Sequence, residues 1–438
     1  MRFWPLETKA RLVPLKYVCR VNPDALPEST DPELEIEYID IGNVSFEKGI
    51  EARETFRFAD APSRARKPVH NGDVILSTVR TYLKAIAFVQ GASDNWIAST
   101  GFAVCRPAPG IHAKYLYRAL QSSPFIESVV AASTGVSYPA ITPSVLSNIE
   151  VPIPDLVTQQ GIADFLDRET TRIDQLIEKK RALIATLADR RQSLIEDAIS
   201  FDGPATKLGH HVRILPGYAF PSSEFSADPE DVRLLRGANI APGRIRWDDV
   251  VYWPRSSATD FERFSLKPND IVLGMDRPWI SSGIRIAEIK DHDVPSLLLQ
   301  RVCKLDPLQT LDKQFMKLLL SSKRFHAYFE PITTGVSVPH ISADQVSAFR
   351  FAYAPVEIQQ DRARLCFQRT SRDEEISAQI EISTDRLGEL RSSLITAAVA
   401  GQIDVTTWQR YGSTDRRLEV IESEMERDSS TMRVDSRV

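Results

Sequence analysis

The residue types of a metal-dependent nuclease occur once at a suggestive spacing: Pro154 and Asp155, followed by Glu178 and Lys180. Such carboxylates would hold the metal ions that clamp a phosphodiester during hydrolysis. Glu178 and Lys180, however, fall inside a long stretch without proline or glycine, where lysine-rich helical faces are normally just solvated. The set is therefore not predicted to be a site.

Other catalytic and metal-binding patterns are missing from the sequence. It has no G-x-G-x-x-G, no G-x-x-x-x-G-K-[ST], no G-x-S-x-G and no H-E-x-x-H. The stretch "NPDA" at Asn22 lacks the second proline and the aromatic residue of an adenine methyltransferase loop. His210 and His211 form an isolated pair, and four cysteines lie far apart: Cys19, Cys105, Cys303 and Cys366. We predict no catalytic residue, no metal site and no disulfide.

Basic residues mixed with aromatic ones mark two stretches of the chain. Lysine and arginine side chains contact phosphates, and polar and aromatic ones read base edges, so such loops suit DNA binding. A solvated charged loop is the other interpretation. The candidates are Arg57, Arg64, Arg66, Lys67, Arg80, Tyr82 and Lys84 in the first stretch, and Arg255, Arg263, Arg277 and Trp279 in the second.

One phrase is written twice, as "TGVSYPAI" from Thr134 and as "TGVSVPHI" from Thr334. Its hydroxyls and backbone N–H groups suit phosphate contact, and its glycine permits a tight turn. We take Tyr138 and His340 as equivalent positions that differ in chemistry and suit base contact. A structural turn that starts a helix is the alternative. The candidates are Thr134, Ser137, Tyr138, Thr334, Ser337 and His340.

The phrase belongs to a duplication of about 200 residues. Residues 133–160 and 333–360 are identical at nine of 28 positions without a gap. The match extends to "YLYRALQSSPF" and "FMKLLLSSKRF", and, with small gaps, to "GDVILSTVR" and "NDIVLGMDR". Because a solenoid needs three or more short repeats, we predict a duplicated domain pair.

Each copy changes character once along its length. A first part rich in β-branched and aromatic runs predicts strands and short helices, and a long amphipathic helix follows. Each helix must bury its apolar stripe, and the other copy is the expected partner in an antiparallel coiled coil. The predicted seam residues are Leu166, Ile173, Leu176, Leu183, Leu187, Leu194, Ile376, Ile380, Leu387, Leu390 and Leu394.

Composition places the chain among globular proteins. Its 438 residues carry a net charge of −5, with 42% hydrophobic and 26% charged residues. No apolar run approaches the ~20 residues of a membrane span. We expect a cytoplasmic protein with no membrane association, whose basic faces are local.

At this point the sequence resembles a known family. The stretches "LKYVCRVNPDALPESTDPELEIEYIDIGNVS", "SRARKPVHNGDVILSTVRTYLKAIA" and "NWIASTGFAV", and the segment from "TGVSYPAI" to "KKRALI", are similar to the specificity subunit of type I restriction-modification systems. The resemblance covers residues ~10–400 and includes the duplication. The second copy departs more, with "FRFAYAPVEIQQ" in place of an apolar-Pro-x-Pro phrase.

The resemblance implies a division of labour. Two target-recognition domains would read the halves of a split double-stranded DNA target, and the helices would dock two methyltransferase subunits. Restriction/translocase subunits would complete the complex. S-adenosylmethionine, ATP and Mg²⁺ would serve the partners and none would bind this chain.

The predicted architecture is α+β: two duplicated α/β recognition domains separated by two long helices, with pseudo-two-fold symmetry. The expected limits are 1–156, 157–202, 203–356, 357–402 and a polar tail at 403–438. Two alternatives stay open, a fragment of a methyltransferase or nuclease, and a structural adaptor or inactive remnant that does not bind DNA.

Overall fold

The computed structural model describes residues 3–5, 8–135, 138–280, 283–332 and 339–405. Contacts divide the chain into two units. The first comprises Met1–Lys179 and Ser383–Val438, and the second comprises Lys180–Ile382. Each long helix therefore contributes one half to each unit. The predicted domain limits stay predictions, and most of the predicted tail lies outside the described residues.

In each copy, most of the strands come first along the chain, short helices come next, and a long helix comes last. The first set is α1 (Ala113–Gln121), α2 (Ser123–Ala132), α3 (Pro143–Leu146) and α4 (Leu156–Ile199). The second set is α5 (Lys313–Leu320), α6 (Lys323–Phe329), α7 (Ala343–Ala348) and α8 (Val356–Val399). No helix of the described residues is long and apolar enough to cross a bilayer.

The first unit has two four-stranded sheets and two strand pairs, in the orders β6-β3-β10-β7, β2-β11-β8-β9, β1-β12 and β4-β5. Their strands are β1 (Arg11–Pro14), β2 (Cys19–Val21), β3 (Glu35–Ile39), β4 (Val44–Ser45), β5 (Gly49–Ile50), β6 (Glu54–Arg57), β7 (Ala65–Pro68), β8 (Val74–Ser77), β9 (Ile86–Phe88), β10 (Trp96–Ser99), β11 (Phe102–Pro107) and β12 (Glu150–Ile153). β3 and β10 run parallel and the other pairs are antiparallel.

The second unit has a similar plan, with one four-stranded sheet, one three-stranded sheet and three strand pairs, in the orders β14-β24-β19-β22, β18-β15-β23, β13-β25, β16-β17 and β20-β21. Its strands are β13 (Ala205–Lys207), β14 (Val212–Pro216), β15 (Val232–Leu235), β16 (Ile240–Ala241), β17 (Arg244–Ile245), β18 (Tyr252–Trp253), β19 (Ile271–Gly274), β20 (Trp279–Ile280), β21 (Gly283–Ile284), β22 (Ile286–Glu288), β23 (Ser296–Leu298), β24 (Val302–Pro307) and β25 (Arg350–Ala352). β15 and β23 repeat the parallel pair.

The predicted fold class is confirmed, because strands, short helices and a long helix occur twice in the same order. Apolar residues of the strands and short helices form the cores. Tyr115 and Phe125 are fully buried in the first unit, and Phe315 and Phe325 at the equivalent positions are fully buried in the second. The repeated spacing in the sequence therefore reflects a repeated core.

Within the first unit, the two helix halves pack antiparallel. Asp174 of α4 pairs with Arg391 of α8 at 2.9 Å between Oδ1 and Nε. Nearer the start of α4, a Cβ built on Gly161 would lie 3.7 Å from Cγ2 of Val405, just past the end of α8. Ile173 and Leu387 belong to the same buried cluster.

The second unit has the same internal arrangement of its helix halves. Arg191 of α4 pairs with Glu374 of α8 at 3.0 Å, and Arg362 donates to the carbonyl of Asp197 at 3.0 Å. The Arg191–Glu374 pair stands at the positions of Arg391 and Asp174, 200 residues away. Polar pairs therefore accompany the apolar seam in both units.

The predicted seam is partly wrong. Leu183, Ile376 and Leu390 are exposed, while Leu187 and Leu194 are half-buried. A seven-residue repeat drifts by about 20° per heptad on a straight helix, so it does not stay on one face. The remaining predicted positions are buried: Leu166, Ile173, Leu176, Ile380, Leu387 and Leu394.

Candidate nucleic-acid interface

In the first unit, the repeated phrase is hydrogen-bonded to the loop that follows β8. The N–H of Ile141 donates to Thr78 O at 2.9 Å, and the N–H of Thr78 donates to Gly101 O at 2.8 Å. The N–H of Thr100 donates in turn to Arg64 O at 2.8 Å. Four loops that are distant in sequence thus form one continuous surface.

The second unit builds the same connection from different residues. The N–H of Ile341 donates to Met275 O at 2.9 Å, and the N–H of Met275 donates to Arg301 O at 2.8 Å. Ile341, Met275 and Arg301 therefore correspond to Ile141, Thr78 and Gly101. Since the link is made by backbone atoms, side chains on this surface are free to differ between the units.

An exposed arginine stands at the same point of both surfaces. Arg80 has φ 50° and Arg277 has φ 43°, in the left-handed region that residues other than glycine rarely adopt. Val79 bridges to Ala140, and the N–H of Arg277 donates to Pro339 O at 2.7 Å. Within the described residues, neither guanidinium has a carboxylate partner. These two predicted residues are thus presented in the same way by each unit.

Hydrogen bonds join the two ends of the phrase in the first unit. Thr134 and Ala140 exchange N–H···O bonds of 2.9 Å, and Gly135 has φ 108°. Tyr138 is 64% exposed, and the guanidinium of Arg80 lies 4.8 Å from its ring centroid. The hydroxyl positions Ser137, Thr334 and Ser337 lie outside the described residues.

The expected equivalence of Tyr138 and His340 is wrong. Ala140 bridges to Val79, and His340 bridges to Asp276, so His340 corresponds to Ala140. The counterpart of Tyr138 is residue 338, which lies outside the described residues. The two copies of the phrase are 200 residues apart, and this offset gives the same pairing of Ala140 with His340.

The other basic candidates of the first unit differ in what their charge contacts. Arg64 is exposed, and Arg66 stacks 4.7 Å from the ring centroid of Phe58. Arg57 is paired with Glu33 at 3.3 Å. Lys67 points inward and donates to the carbonyls of Thr100 and Phe102, and burial lowers its pKa. This geometry argues against a DNA contact for Lys67, because its ammonium group is already hydrogen-bonded to the loop at residues 100–102.

Tyr82 lies on the short helical turn after Arg80, Lys84 directly follows that turn, and both are exposed. The turn is anchored by Thr81, whose Oγ1 lies 2.8 Å from the hydroxyl of Ser133. It therefore sits beside the start of the repeated phrase.

The remaining candidates of the second unit are more dispersed. Arg255 donates to the carbonyl of Glu230 at 2.7 Å, and Arg263 is exposed beside Phe264. Trp279 packs against Phe325 and Phe329, with centroid separations of 6.1 and 5.6 Å. Trp279 as a base contact is therefore corrected to a half-buried packing residue, because its aromatic neighbours on α6 hold it.

Two further arginines stand near Arg277. They are Arg246, which belongs to the basic second stretch, and Arg285, whose pKa is lowered by burial and by the positive charges of Arg246 and Arg277. Small gaps in this part of the duplication obscure which residues of the first unit are equivalent to Arg246 and Arg285, and strand register identifies those residues.

The surface of the first unit combines exposed cations with the exposed rings of Tyr82 and Tyr138, and the surface of the second unit presents the exposed Arg277. Among the described residues, no group of three or more histidine, cysteine or carboxylate side chains is placed to hold a metal ion. Such a surface can contact phosphates and base edges without a bound cofactor.

Comparison with known proteins identifies this architecture. Residues 49–186 match the family described as "Type I restriction modification DNA specificity domain". The chain is 41% identical over 157 residues to the EcoAI specificity subunit of Escherichia coli, covering 36% of this chain and 26% of that one. It is 30% identical over 244 residues to the MjaVIII specificity subunit of Methanocaldococcus jannaschii, covering 52% and 56%.

These alignments span about a quarter and just over half of the two relatives. A solved structure from work described as the "structural basis underlying complex assembly and conformational transition of the type I R-M system" has the same fold. It matches with a TM-score of 0.70 and 21% identity over 90% of this chain and 98% of that one. The resemblance seen in the sequence is thereby confirmed: residues 49–186 match the DNA specificity domain of type I restriction-modification systems, and the chain is similar to specificity subunits of such systems.

Proposed function

We propose that this chain is the DNA-recognition subunit of a type I restriction-modification complex and reads a split target in double-stranded DNA. One observation carries the proposal. A similar surface, with an exposed left-handed arginine beside the repeated phrase, occurs in each unit. Two copies of one reading surface suit a target with two halves, and each unit would read one of them.

We also propose that the chain contributes no catalytic group of its own. Asp155, from the nuclease-like set, accepts hydrogen bonds from the hydroxyl and the N–H of Thr158 at 2.6 and 3.0 Å. These bonds lower its pKa and cap the start of α4. A carboxylate used in this way supports helix formation rather than metal binding.

The chemistry would belong to partner subunits. Two methyltransferase subunits using S-adenosylmethionine would dock on the long helices, and restriction/translocase subunits using ATP and Mg²⁺ would join through them in the cytoplasm. Both helices carry exposed apolar side chains that such partners could cover. They are Leu156, Val157, Leu183, Ile358, Leu365, Ile376, Ile382 and Leu390.

Mapping methylated adenines in cells that carry the chain and its methyltransferase tests the proposal. The expected pattern is a two-part sequence with a fixed gap. Replacing residues 205–355 by the same segment of a relative should change one half and leave the other half and the gap intact. A change in both halves would contradict the two-reader arrangement, and no sequence-selective methylation would favour an adaptor without DNA binding.

A further inference from the structure

Arg285 occupies a position that strand register equates with Ala85 in the first unit. In the first unit, the N–H of Ser77 donates to Ala85 O at 2.8 Å, directly after the pairing of β8 with β9. In the second unit, the N–H of Gly274 donates to Arg285 O at 2.8 Å, after the pairing of β19 with β22. A buried alanine fills this position in the first unit, so the scaffold does not require an arginine there.

Arg246 also differs from its equivalent in the first unit, which is the acidic residue Glu51. The N–H of Arg246 donates to Asn239 O at 2.8 Å, as the N–H of Glu51 donates to Asn43 O at 2.8 Å. With Arg277 in the place of Arg80, three equivalent positions hold three arginines in the second unit. In the first unit they hold Glu51, Arg80 and Ala85, whose formal charges cancel.

Contacts of Arg285 place it beside both of the other arginines. Nη1 of Arg285 donates to Gly237 O at 2.6 Å and to Ile240 O at 3.3 Å, beside the backbone contact of Arg246. The N–H of Arg285 donates to Pro278 O at 2.7 Å, next to Arg277. Burial lowers the pKa of Arg285, and the positive charges of Arg246 and Arg277 lower it further.

This cluster has no internal counter-charge. Among the described residues, no carboxylate lies within ion-pair distance of the three guanidinium groups, and Asp276 is instead 3.9 Å from Arg301. The Nε of Arg285 is buried without a hydrogen-bond partner. Like charges held together, with an unpaired donor among them, are stabilised by an anion that accepts several hydrogen bonds.

We propose that Arg246, Arg277 and Arg285 form a phosphate-binding site of the second unit that has no counterpart in the first. A DNA backbone phosphate is its expected ligand. The assignment to DNA, rather than to free phosphate, rests on the proposed function, whereas the site itself does not. The second unit would then hold its half of the target with a larger electrostatic contribution than the first.

The first test uses inorganic phosphate and the full chain. Phosphate should raise the melting temperature more than chloride does at equal ionic strength. Arg285→Ala and Arg246→Glu install the residues of the first unit, and each should raise the phosphate Kd at least tenfold. Arg213→Ala, which removes an exposed charge from β14, is the control and should leave the Kd unchanged.

Arg246→Glu leaves the Arg285–Gly237 contact in place, so it tests the site even where Arg285→Ala unfolds the unit. Arg285→Lys keeps the charge and should retain part of the phosphate effect. A phosphate effect that is equal in wild type, Arg285→Ala and Arg246→Glu would overturn the proposal.

The second test measures DNA affinity against salt concentration. Loss of one phosphate contact should lower the slope of log Kd against log salt by about 0.9 in Arg285→Ala. If Arg285→Ala loses the stabilisation by inorganic phosphate but keeps the wild-type slope of log Kd against log salt, the site is supported and its ligand is free phosphate rather than DNA. Absence of DNA binding by the wild-type complex would contradict the proposed function, and the phosphate titration would still decide the site.

Discussion

Arg80 and Arg277 are charged residues in a backbone conformation that favours glycine. A left-handed conformation costs an L residue roughly 1–2 kcal/mol, and glycine avoids this cost. Both positions nevertheless hold arginine at φ 50° and 43°, exposed and with no carboxylate partner among the described residues. A residue placed in this way is expected to contribute to binding rather than to stability.

Replacing Arg80 should therefore separate stability from DNA binding. Arg80→Gly should be more stable than Arg80→Ala by about 1 kcal/mol, because only glycine relieves the backbone. Both variants should lose DNA affinity equally and for all sequences, since a phosphate contact carries no sequence information. Thermal unfolding and binding to two unrelated duplexes measure the two effects. A change in target sequence rather than in affinity would make Arg80 a base contact.

At the scale of elements, the junction between the short helices and the long helix differs between the units. In the first unit, Lys114 and Arg118 of α1 bind Asp167 of α4 at 2.6 and 2.8 Å. In the second unit, the equivalent positions of Lys114 and Asp167 are Gln314 and Phe367, which line a cavity of about 650 Å³. In the first unit this joint is thus held by ion pairs to Asp167, whereas in the second unit Phe367 takes the place of that carboxylate.

The charged joint predicts a pH-dependent effect. Burial raises the pKa of Asp167, but hydrogen bonds from Lys114 and Arg118 outweigh it and the net pKa is lowered. Its stabilisation is therefore present above the ordinary pKa of 3.8 and is lost as the pH falls through the lower folded value. Asp167→Asn should cost about 1 kcal/mol at pH 7, after allowance for solvent screening, and much less near pH 3.

Melting temperatures at pH 7 and pH 3 measure this difference. Asp361→Asn on α8 is the matched control, because its ion pair with Arg364 is exposed on one helix face and should contribute little at either pH. An equal loss for Asp167→Asn at both pH values would show that the ion pair does not hold the joint.

The elements were more predictable from the sequence than the site. Alternating apolar runs and long proline-free segments report burial directly, so the duplication and both long helices follow from them. Side-chain direction depends on neighbours that are remote in sequence. Lys67 turns onto carbonyls of the 100–102 loop, and Trp279 onto α6. Arg285 was missed, because nothing in the sequence indicates that its side chain lies beside Arg246 and Arg277.

For the whole molecule, the long helices are the parts whose length should set the gap in the target. In the second unit, Arg190 and Arg191 of α4 pair with Asp373 and Glu374 of α8 at 3.3 and 3.0 Å. An insertion in α4 alone would shift these pairs out of register. An insertion in both helices, at facing positions, would keep them.

We therefore predict different results for single and double insertions of four residues. The double insertion, between Asp189 and Arg190 and between Glu375 and Ile376, lengthens the helices by ~6 Å. Under the proposed function, the gap should grow by one or two base pairs at ~3.4 Å each, with both half-sites unchanged. The single insertion after Asp189 should instead lower the melting temperature. Methylated-site mapping reads out the gap, and an unchanged gap in a stable double-insertion variant would show that helix length does not set it.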